Sequence, residues 1–558
     1  GTISESILPL VPGRIRVQQV IKYIELFEQL SGLKPTGFWL PERVWEPWIP
    51  EVLARAGLEY VVIDDATLRK TGHSMEKTKY AWITEESGYS IKVLFIDERL
   101  RYILPWEHPD KVVEYIASFS HDPSALLVWG SDAEKFGEWW DKERSKKWLR
   151  EFLGKLRFDK RISLVHPLNY LREHGVRGLI YLDTGSYDKM LEWSNGFFRN
   201  FLVKYPESNN MHKKALWVLR KLEKANSVDK APLDYLMAYC NDAYWHGLFG
   251  GVYLAHLRQA IYESLIRTER EIEEKIGYYS SNIVKRILVD FDHDGTDELL
   301  IETPMLNLYI KPSDGGTLFE FDFKEKNFEH NIQDTMTRHQ EPYLEGSSFN
   351  PDWYRRVSWR LHVWSPDTSA WDWMFNTPFK DRSDLSLLKF NTVFSENSSV
   401  VYLRGVGGVY SYGHKVAEVF AEKRLEVLEN GYRLRYLLKN INDNAIEGKI
   451  GIEYHLAWKI DRDQDRSPWY AVDGHIYDIN SWFIGKGSII KLHSPGYHPI
   501  VLRISGEKEI WIAKLVSYAR TEKGMREIPQ GLGVMVIDSI ELRRNDTYEV
   551  EIEHIVEA

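Results

Sequence analysis

The chain has 558 residues and a formal net charge of −10, too long for one ordinary core, so two or three domains are expected. The acidic balance argues against a nucleic-acid partner, which wants a basic stripe, and no apolar run reaches the roughly 18 residues that suggest a membrane span. One cysteine, Cys240, excludes intrachain disulfides and thiolate zinc clusters and reads as a packed thiol. With no signal-peptide pattern at the start, a soluble, cytoplasmic protein is expected. A charged content of 28% with scarce cysteine is compatible with a thermophile. Aromatics reach 13%, including 21 tryptophans; most belong in cores, but the number also fits a surface that stacks against rings.

In chain order, Val17, Val20, Ile21, Ile24, Phe27 and Leu30 recur at helical spacing, and Gly32 stops the run. A strand-like Gly37-Phe38-Trp39-Leu40 follows, then a short helix after Pro50 and a strand Tyr60-Val61-Val62-Ile63 ending in Asp64 and Asp65. The alternation continues with a strand at 91–96, a helix near 110–119, a strand at 125–129, a helix at 143–156 and a strand at 162–165. Strands alternating with helices over short loops predict βα units and a parallel sheet. Glu42, Asp64, Asp65, Asp97 and Asp132 stand after strand C-termini, where barrel and open α/β enzymes place their chemistry. This portion, residues 1–188, is shorter than the roughly 200–250 residues of a complete barrel. Residues 189–280 read as a helical module. From about 284 the period switches to strict alternation, in segments such as LLIETPMLNLYIKP, KIGIEYHLAWKI and TYEVEIEHI, which predicts a β-sandwich over 281–558. The expected class is therefore α/β plus all-β: an incomplete βα barrel, a helical module and a C-terminal sandwich.

Glu42 is the first chemical candidate. It sits beside Arg43 and among Trp39, Trp45 and Trp48; a guanidinium beside a carboxylate favours the ionised form, and indole faces suit sugar rings. An ionised carboxylate at the end of a buried strand is a candidate nucleophile in glycoside chemistry; an Arg–Glu pair lining a core edge is the alternative. Asp132, in Trp129-Gly130-Ser131-Asp132-Ala133-Glu134, is the second. An acid/base must hold a proton near neutral pH and so needs desolvation or a negative neighbour, which Glu134 and the aromatics supply; a helix cap is the alternative reading. Asp97, Glu98 and Arg101 read as ion pairs near the site mouth. Separately, Asp290-Phe291-Asp292-His293-Asp294-Gly295-Thr296-Asp297-Glu298 alternates carboxylates around a glycine turn. That pattern suits a structural Ca2+ held by Asp290, Asp292, Asp294, the Thr296 carbonyl and Glu298, or else a solvated acidic turn. Gly405-Val406-Gly407-Gly408 lacks the setting of a nucleotide loop and reads as a β-turn. Asn397-Ser398-Ser399 and Asn545-Asp546-Thr547 are sequons with no accompanying sign of export.

The stretch WLPERVWEP at 39–47 resembles the nucleophile motif of glycoside hydrolase family 57, in the branch of 4-α-glucanotransferases and α-amylases. YVVIDDATL at 60–68, FIDERLRYILP at 95–105, SDAEKFGEWW at 131–140, KYPESNNMHKK at 204–214 and CNDAYWHGLFGG at 240–251 follow in the family's order. The resemblance implies that the barrel is an incomplete (β/α)7-type barrel carrying a retaining pair, with Glu42 as nucleophile and Asp132 as acid/base, and no cofactor for catalysis. It also implies a groove lined by Trp39, Trp139 and Trp245, with Asp65, Glu134 and His246 contacting the substrate. An α-glucan or maltooligosaccharide substrate is expected, and a homodimer is suggested. Transfer to a sugar hydroxyl, hydrolysis, and a non-catalytic glucan-binding relative all remain open. The family pattern includes an earlier strand with a His-Gln-Pro motif, which this chain does not contain; a fragment, a late start and a degraded relative each fit that.

Overall fold

The structure, a computed structural model, describes residues 1–281, 283–344, 350–378, 380–394, 400–460, 467–521 and 524–557; the sequon at Asn397 lies outside them. The chain packs as two compact units. The first is Gly1–Phe201 with Val228–Ala231 and Tyr239–Asn241; the second is Leu202–Ser227, Pro232–Ala238 and Asp242–Ala558. Among the described residues no helix is long and apolar enough to cross a membrane.

In the first unit, helix α1 (Gly13–Ser31) ends at Gly32, whose φ of 70° makes a left-handed cap. Strand β1 (Gly37–Trp39), helix α2 (Ile49–Arg55) and strand β2 (Tyr60–Asp64) follow. A hairpin of β3 (Trp82–Glu86) and β4 (Tyr89–Ile96) completes a sheet ordered β1-β2-β4-β3, with β1, β2 and β4 parallel and β3 antiparallel. Phe38, Leu40, Val61, Ile63, Val93 and Phe95 bury one side of the sheet with Val20, Ile24, Ile49 and Leu53 of α1 and α2. Helices α3 (Pro109–Ala117) and α4 (Lys142–Phe158) pack through Val112, Val113, Trp148, Phe152 and Leu156. This is the partial barrel that the alternation predicts.

Two predicted strands are absent as such. Residues 125–129 contribute a single parallel bridge, Val128 to Ile96, and 162–165 are irregular, with Leu164 72% exposed. A short apolar run becomes a strand only where a neighbour offers a ladder to pair with, and among the described residues 162–165 have none. The antiparallel β3 stands outside the predicted βα alternation.

The second unit begins with helices α5 (Pro206–Lys224) and α6 (Ala255–Lys275). They are tied to the following strands by a buried ion network. Lys221 holds Glu269 (2.6 Å), Glu273 (2.6 Å) and Glu302 (2.8 Å), and Lys214 holds Glu269 (2.8 Å) and Asp322 (2.7 Å). Strands β5 (Lys285–Val289), β6 (Glu298–Glu302), β7 (Leu306–Lys311), β8 (Thr317–Phe323) and β9 (His330–Asn331) form an antiparallel meander. A sheet of twelve strands shares its core: Leu299, Leu308 and Phe321 of the meander cluster with Val401, Leu434, Ile452 and Val534 of the larger sheet. The two sheets make the predicted β-sandwich. Gly405–Gly408 is not a turn; it lies within the strand Val400–Ser411. A Cβ at Gly405 would stand 2.8 Å from Leu388 Cδ2, and one at Gly407 2.5 Å from Leu385 Cδ2, so these glycines let the 385–388 segment lie directly on the strand.

Candidate active site

Glu42 follows β1 in a tight turn in which both Glu42 (φ 48°) and Arg43 (φ 49°) are left-handed. Each such residue costs about 1–3 kcal/mol and persists only where its surroundings over-determine it. Here they do. Arg43 N–H donates to Leu40 O (2.8 Å) and Val44 N–H to Pro41 O (3.2 Å), while Trp45 and Gly185 exchange backbone hydrogen bonds at 2.8 and 3.1 Å. The Ser186 hydroxyl donates to the Glu42 carbonyl at 2.6 Å, and the Tyr187 hydroxyl to Glu42 Oε2 at 2.7 Å. The strained turn therefore aims a carboxylate and supplies it with a donor.

The cations arrange that donor. The Arg43 guanidinium lies 4.1 Å from the Tyr187 ring centroid and Arg101 lies 4.8 Å from it. Asp64, at the end of β2, faces both, 3.7 Å from Arg43 Nε and 3.5 Å from Arg101 Nη1. Burial, reinforced by the Glu42 charge, pushes the Tyr187 phenol well above its ordinary value, in keeping with its role as donor to Glu42. Arg43 thus meets Asp64 and the ring of Tyr187, whose hydroxyl bonds Glu42.

Asp132 lies past the Val128 bridge. It is half-buried, and its side chain makes no capping bond to the turn Ala133–Phe136, so the capping alternative is not realised. Two links carry this segment to the Glu42 side. A Cβ at Gly130 would stand 2.7 Å from Trp39 Cζ3, so only glycine lets the backbone lie this close to the indole. Lys135, 7% exposed, donates to Arg101 O at 2.8 Å. Burial and then Arg101 lower its ammonium to about 8, against the opposing pull of Asp132.

Of the other sequence candidates, Trp39 and Trp139 are each 37% exposed and Glu134 is exposed. Asp65 is only 4% exposed: Oδ2 accepts from Glu98 N–H at 3.2 Å, and Oδ1 is buried without a hydrogen-bond partner. Burial and the adjacent Asp64 raise it to about 7. Trp245 and His246 belong to the second unit and are 2% and 4% exposed. His246 is bonded through Nδ1 to Gly250 O (3.1 Å) and through Nε2 to the Tyr343 hydroxyl (2.7 Å). In this conformation neither offers a ring face to solvent, unlike the platform and donor expected of them. Asp97 is structural: it caps the next helix through Leu100 N–H (2.9 Å) and pairs with Lys79 and the Tyr115 hydroxyl. Tyr187, Ser186 and Lys135 were not singled out in the sequence. Tyr187 and Ser186 come from a segment about 145 positions from Glu42, and no local spacing marks them.

In the acidic loop, carboxylate oxygens of Asp290, Asp292 and Asp294 lie within 4.8 Å of one another. Asp290 accepts the N–H groups of Asp294 (3.0 Å) and Gly295 (3.2 Å), and Thr296 donates its N–H (2.9 Å) and hydroxyl (2.6 Å) to Asp294. The Lys311 ammonium bridges Asp292 (2.5 Å), Asp294 (2.6 Å) and Glu298 (3.0 Å). The donor set suits a hard cation, and in this conformation the ammonium supplies the positive charge; an ion there must displace it.

Residues 1–183 match the model of glycosyl hydrolase family 57. Residues 196–272 and 290–347 match the middle and C-terminal domains of alpha-amylase/4-alpha-glucanotransferase. Alpha-amylase 1 of Dictyoglomus thermophilum is 30% identical over 99% of this chain and 87% of its own length, and the alpha-amylase of Pyrococcus furiosus is 31% identical over 95% and 84%. The crystal structure of the 4-alpha-glucanotransferase from Thermococcus litoralis superposes with a TM-score of 0.86 at 28% identity, covering 100% of this chain and 87% of that one. On this likeness, and on the strand-end carboxylates it accompanies, the chain belongs to glycosyl hydrolase family 57.

Proposed function

We propose that this protein is a retaining 4-α-glucanotransferase acting on α-1,4-glucans and maltooligosaccharides, with Glu42 as nucleophile and Asp132 as acid/base. The observation that carries the reading is the Glu42 turn: a carboxylate fixed in left-handed backbone at a strand C-terminus, with the Tyr187 hydroxyl 2.7 Å from its Oε2. In the cycle, Asp132 gives a proton to the glycosidic oxygen as Glu42 attacks the anomeric carbon and the glycosidic bond breaks. Asp132 then takes a proton from an incoming hydroxyl, which displaces Glu42 and restores the original anomer. Tyr187 holds the carboxylate in line, and Trp39 and Trp139 offer partly exposed indoles to the sugar rings. Asp65, Glu134, Trp245 and His246 complete the proposed substrate contacts; for the buried three this requires a conformation that uncovers them.

A second reading, hydrolysis, is favoured by relatives named alpha-amylase at 30% and 31% identity; the chemistry is the same with water as acceptor. Incubation with maltotriose separates the two. Longer maltodextrins together with glucose support transfer; reducing sugar without elongation supports hydrolysis. Glu42→Gln is expected to lower either activity more than about 10³-fold, on the scale of losing a nucleophile, while glucan binding persists. Binding without turnover by the unaltered protein sinks both readings in favour of a non-catalytic glucan binder. A structural Ca2+ at the acidic loop, a cytoplasmic location and a homodimer, the last resting on family likeness, complete the proposal.

A further inference from the structure

The chemistry above leaves unused an exposed aromatic surface on the β-sandwich. Helix α7 (Ala370–Phe375) opens on a capping box in which Ser369 and Asp372 satisfy each other's backbone N–H groups. It buries Ala370, Trp373 and Met374 against Trp364, Trp511 and Met535. That docking leaves Trp371 and Phe375, four positions apart and so on one face, 58% and 45% exposed. Their rings are parallel within 5° at a centroid distance of 5.3 Å. Trp371 also stacks on Trp482 at 4.4 Å and 26°, and Trp482 packs against the same core. The outermost indole is thus held by an anchored one, so ordering it on binding takes little further side-chain entropy. Two large aromatics side by side in water, at helix positions where a charged residue would serve the fold, mark a recognition surface.

The neighbouring groups say what it recognises. Directly after α7, Asn376, Thr377, Asp381 and Ser383 join Asn350 and Trp353 around a cavity of about 510 Å³, within the range of small-molecule pockets. Asn350 Nδ2 donates to Phe375 O at 3.2 Å, linking the rim to the helix, and Trp353 is 50% exposed. His362 Nδ1 and Asp381 Oδ2, 2.7 Å apart, fix the carboxylate. Among the described lining residues none is cationic, and Asp381 brings a carboxylate. Indole faces beside amides, hydroxyls and one carboxylate match a neutral polyhydroxylated ring: C–H faces stack on the aromatics while hydroxyls bond at the rim.

We propose that Trp371, Phe375 and Trp482, with the Trp353 cavity beside them, form a non-catalytic carbohydrate site that holds a run of an α-1,4-glucan chain. The choice of an α-glucan rests on the activity proposed above; the saccharide class rests on the surface itself. The test is affinity electrophoresis through soluble amylose in the Glu42→Gln background, comparing that protein with W371A/F375A and with W353A added to it. All are checked for an unchanged melting temperature. About tenfold weaker retention in W371A/F375A, the scale of one stacking contact, with maltotriose turnover unaltered in the Glu42-intact double variant, is the expected result. Equal retention overturns the proposal and leaves the activity standing. If the double variant instead dissociates a dimer in light scattering without altering retention, the surface joins two copies of this chain and the proposal falls. No retention of the parent protein overturns it too, and maltotriose turnover, measured separately, shows whether the activity has fallen with it.

Discussion

At the residue scale the account turns on how one carboxylate is held. Glu42 and Arg43 occupy left-handed backbone that neither side chain favours, and the Ser186 and Tyr187 hydroxyls stabilise the turn from the far end of the unit's chain. A hydrogen bond to a charged group contributes about 1.5–3 kcal/mol. Tyr187→Phe is therefore expected to lower kcat about 10–100-fold with little change in KM, read by initial rates on maltotriose; an unchanged kcat removes Tyr187 from the site. Asp65 makes a pH-dependent prediction. Its carboxyl is raised from the usual 3.8 to about 7 by burial and Asp64, so the folded chain binds this proton more tightly than the unfolded one. The penalty of ionising it is absent at low pH, grows as pH rises through the interval between the two values, and is complete above about 7. Asp65→Asn should raise the melting temperature at pH 8 relative to the unaltered protein, and the difference should vanish near pH 4. The opposite trend would mean the carboxyl is stabilised as an anion.

At the scale of elements, what could be read in the sequence followed from how far each signal reaches. The spacing from Val17 to Leu30 and the stop at Gly32 gave α1 because a helix is written locally, and the acids after β1, β2 and β4 fall at strand ends as the βα pattern requires. Residues 162–165 carried the same apolar signal as a strand and formed none, since pairing depends on a neighbour that the run does not encode. Gly405–Gly408 looked like a turn, yet the missing side chains serve the close approach of Leu385 and Leu388. The acidic loop shows a partner that motif reading missed: Lys311, on β7, bridges three of the proposed ligands. If ammonium and metal compete there, Lys311→Met should bind Ca2+ at least about tenfold more tightly by calorimetry, because removing a like charge in contact is worth roughly 1–2 kcal/mol or more. With the proposed Ca2+ in place, chelator should lower the melting temperature of the unaltered protein. No change with chelator would show that Lys311 alone holds the loop and would overturn the proposed Ca2+.

At the scale of the molecule, a parallel sheet with acids at its strand ends, a helical stretch and a β-sandwich were all legible, because they depend on periodicity that persists over many residues. The division of labour within the site was not. Tyr187, Ser186 and Lys135 are ordinary residues until the fold gathers them around the Glu42 and Asp132 segments, and burial of Trp245 and His246 depends on packing that no motif records. The central claim is that Glu42 carries a covalent glucosyl group whose departure Asp132 assists. Asp132→Asn, incubated with an α-maltosyl fluoride, whose leaving group needs no acid, should accumulate a glycosyl adduct. Mass spectrometry of the digested protein should place it on the peptide containing Glu42, and adding Glu42→Gln should abolish it. An adduct on another peptide, or turnover of the fluoride with inversion at the anomeric carbon and no adduct, would contradict the account.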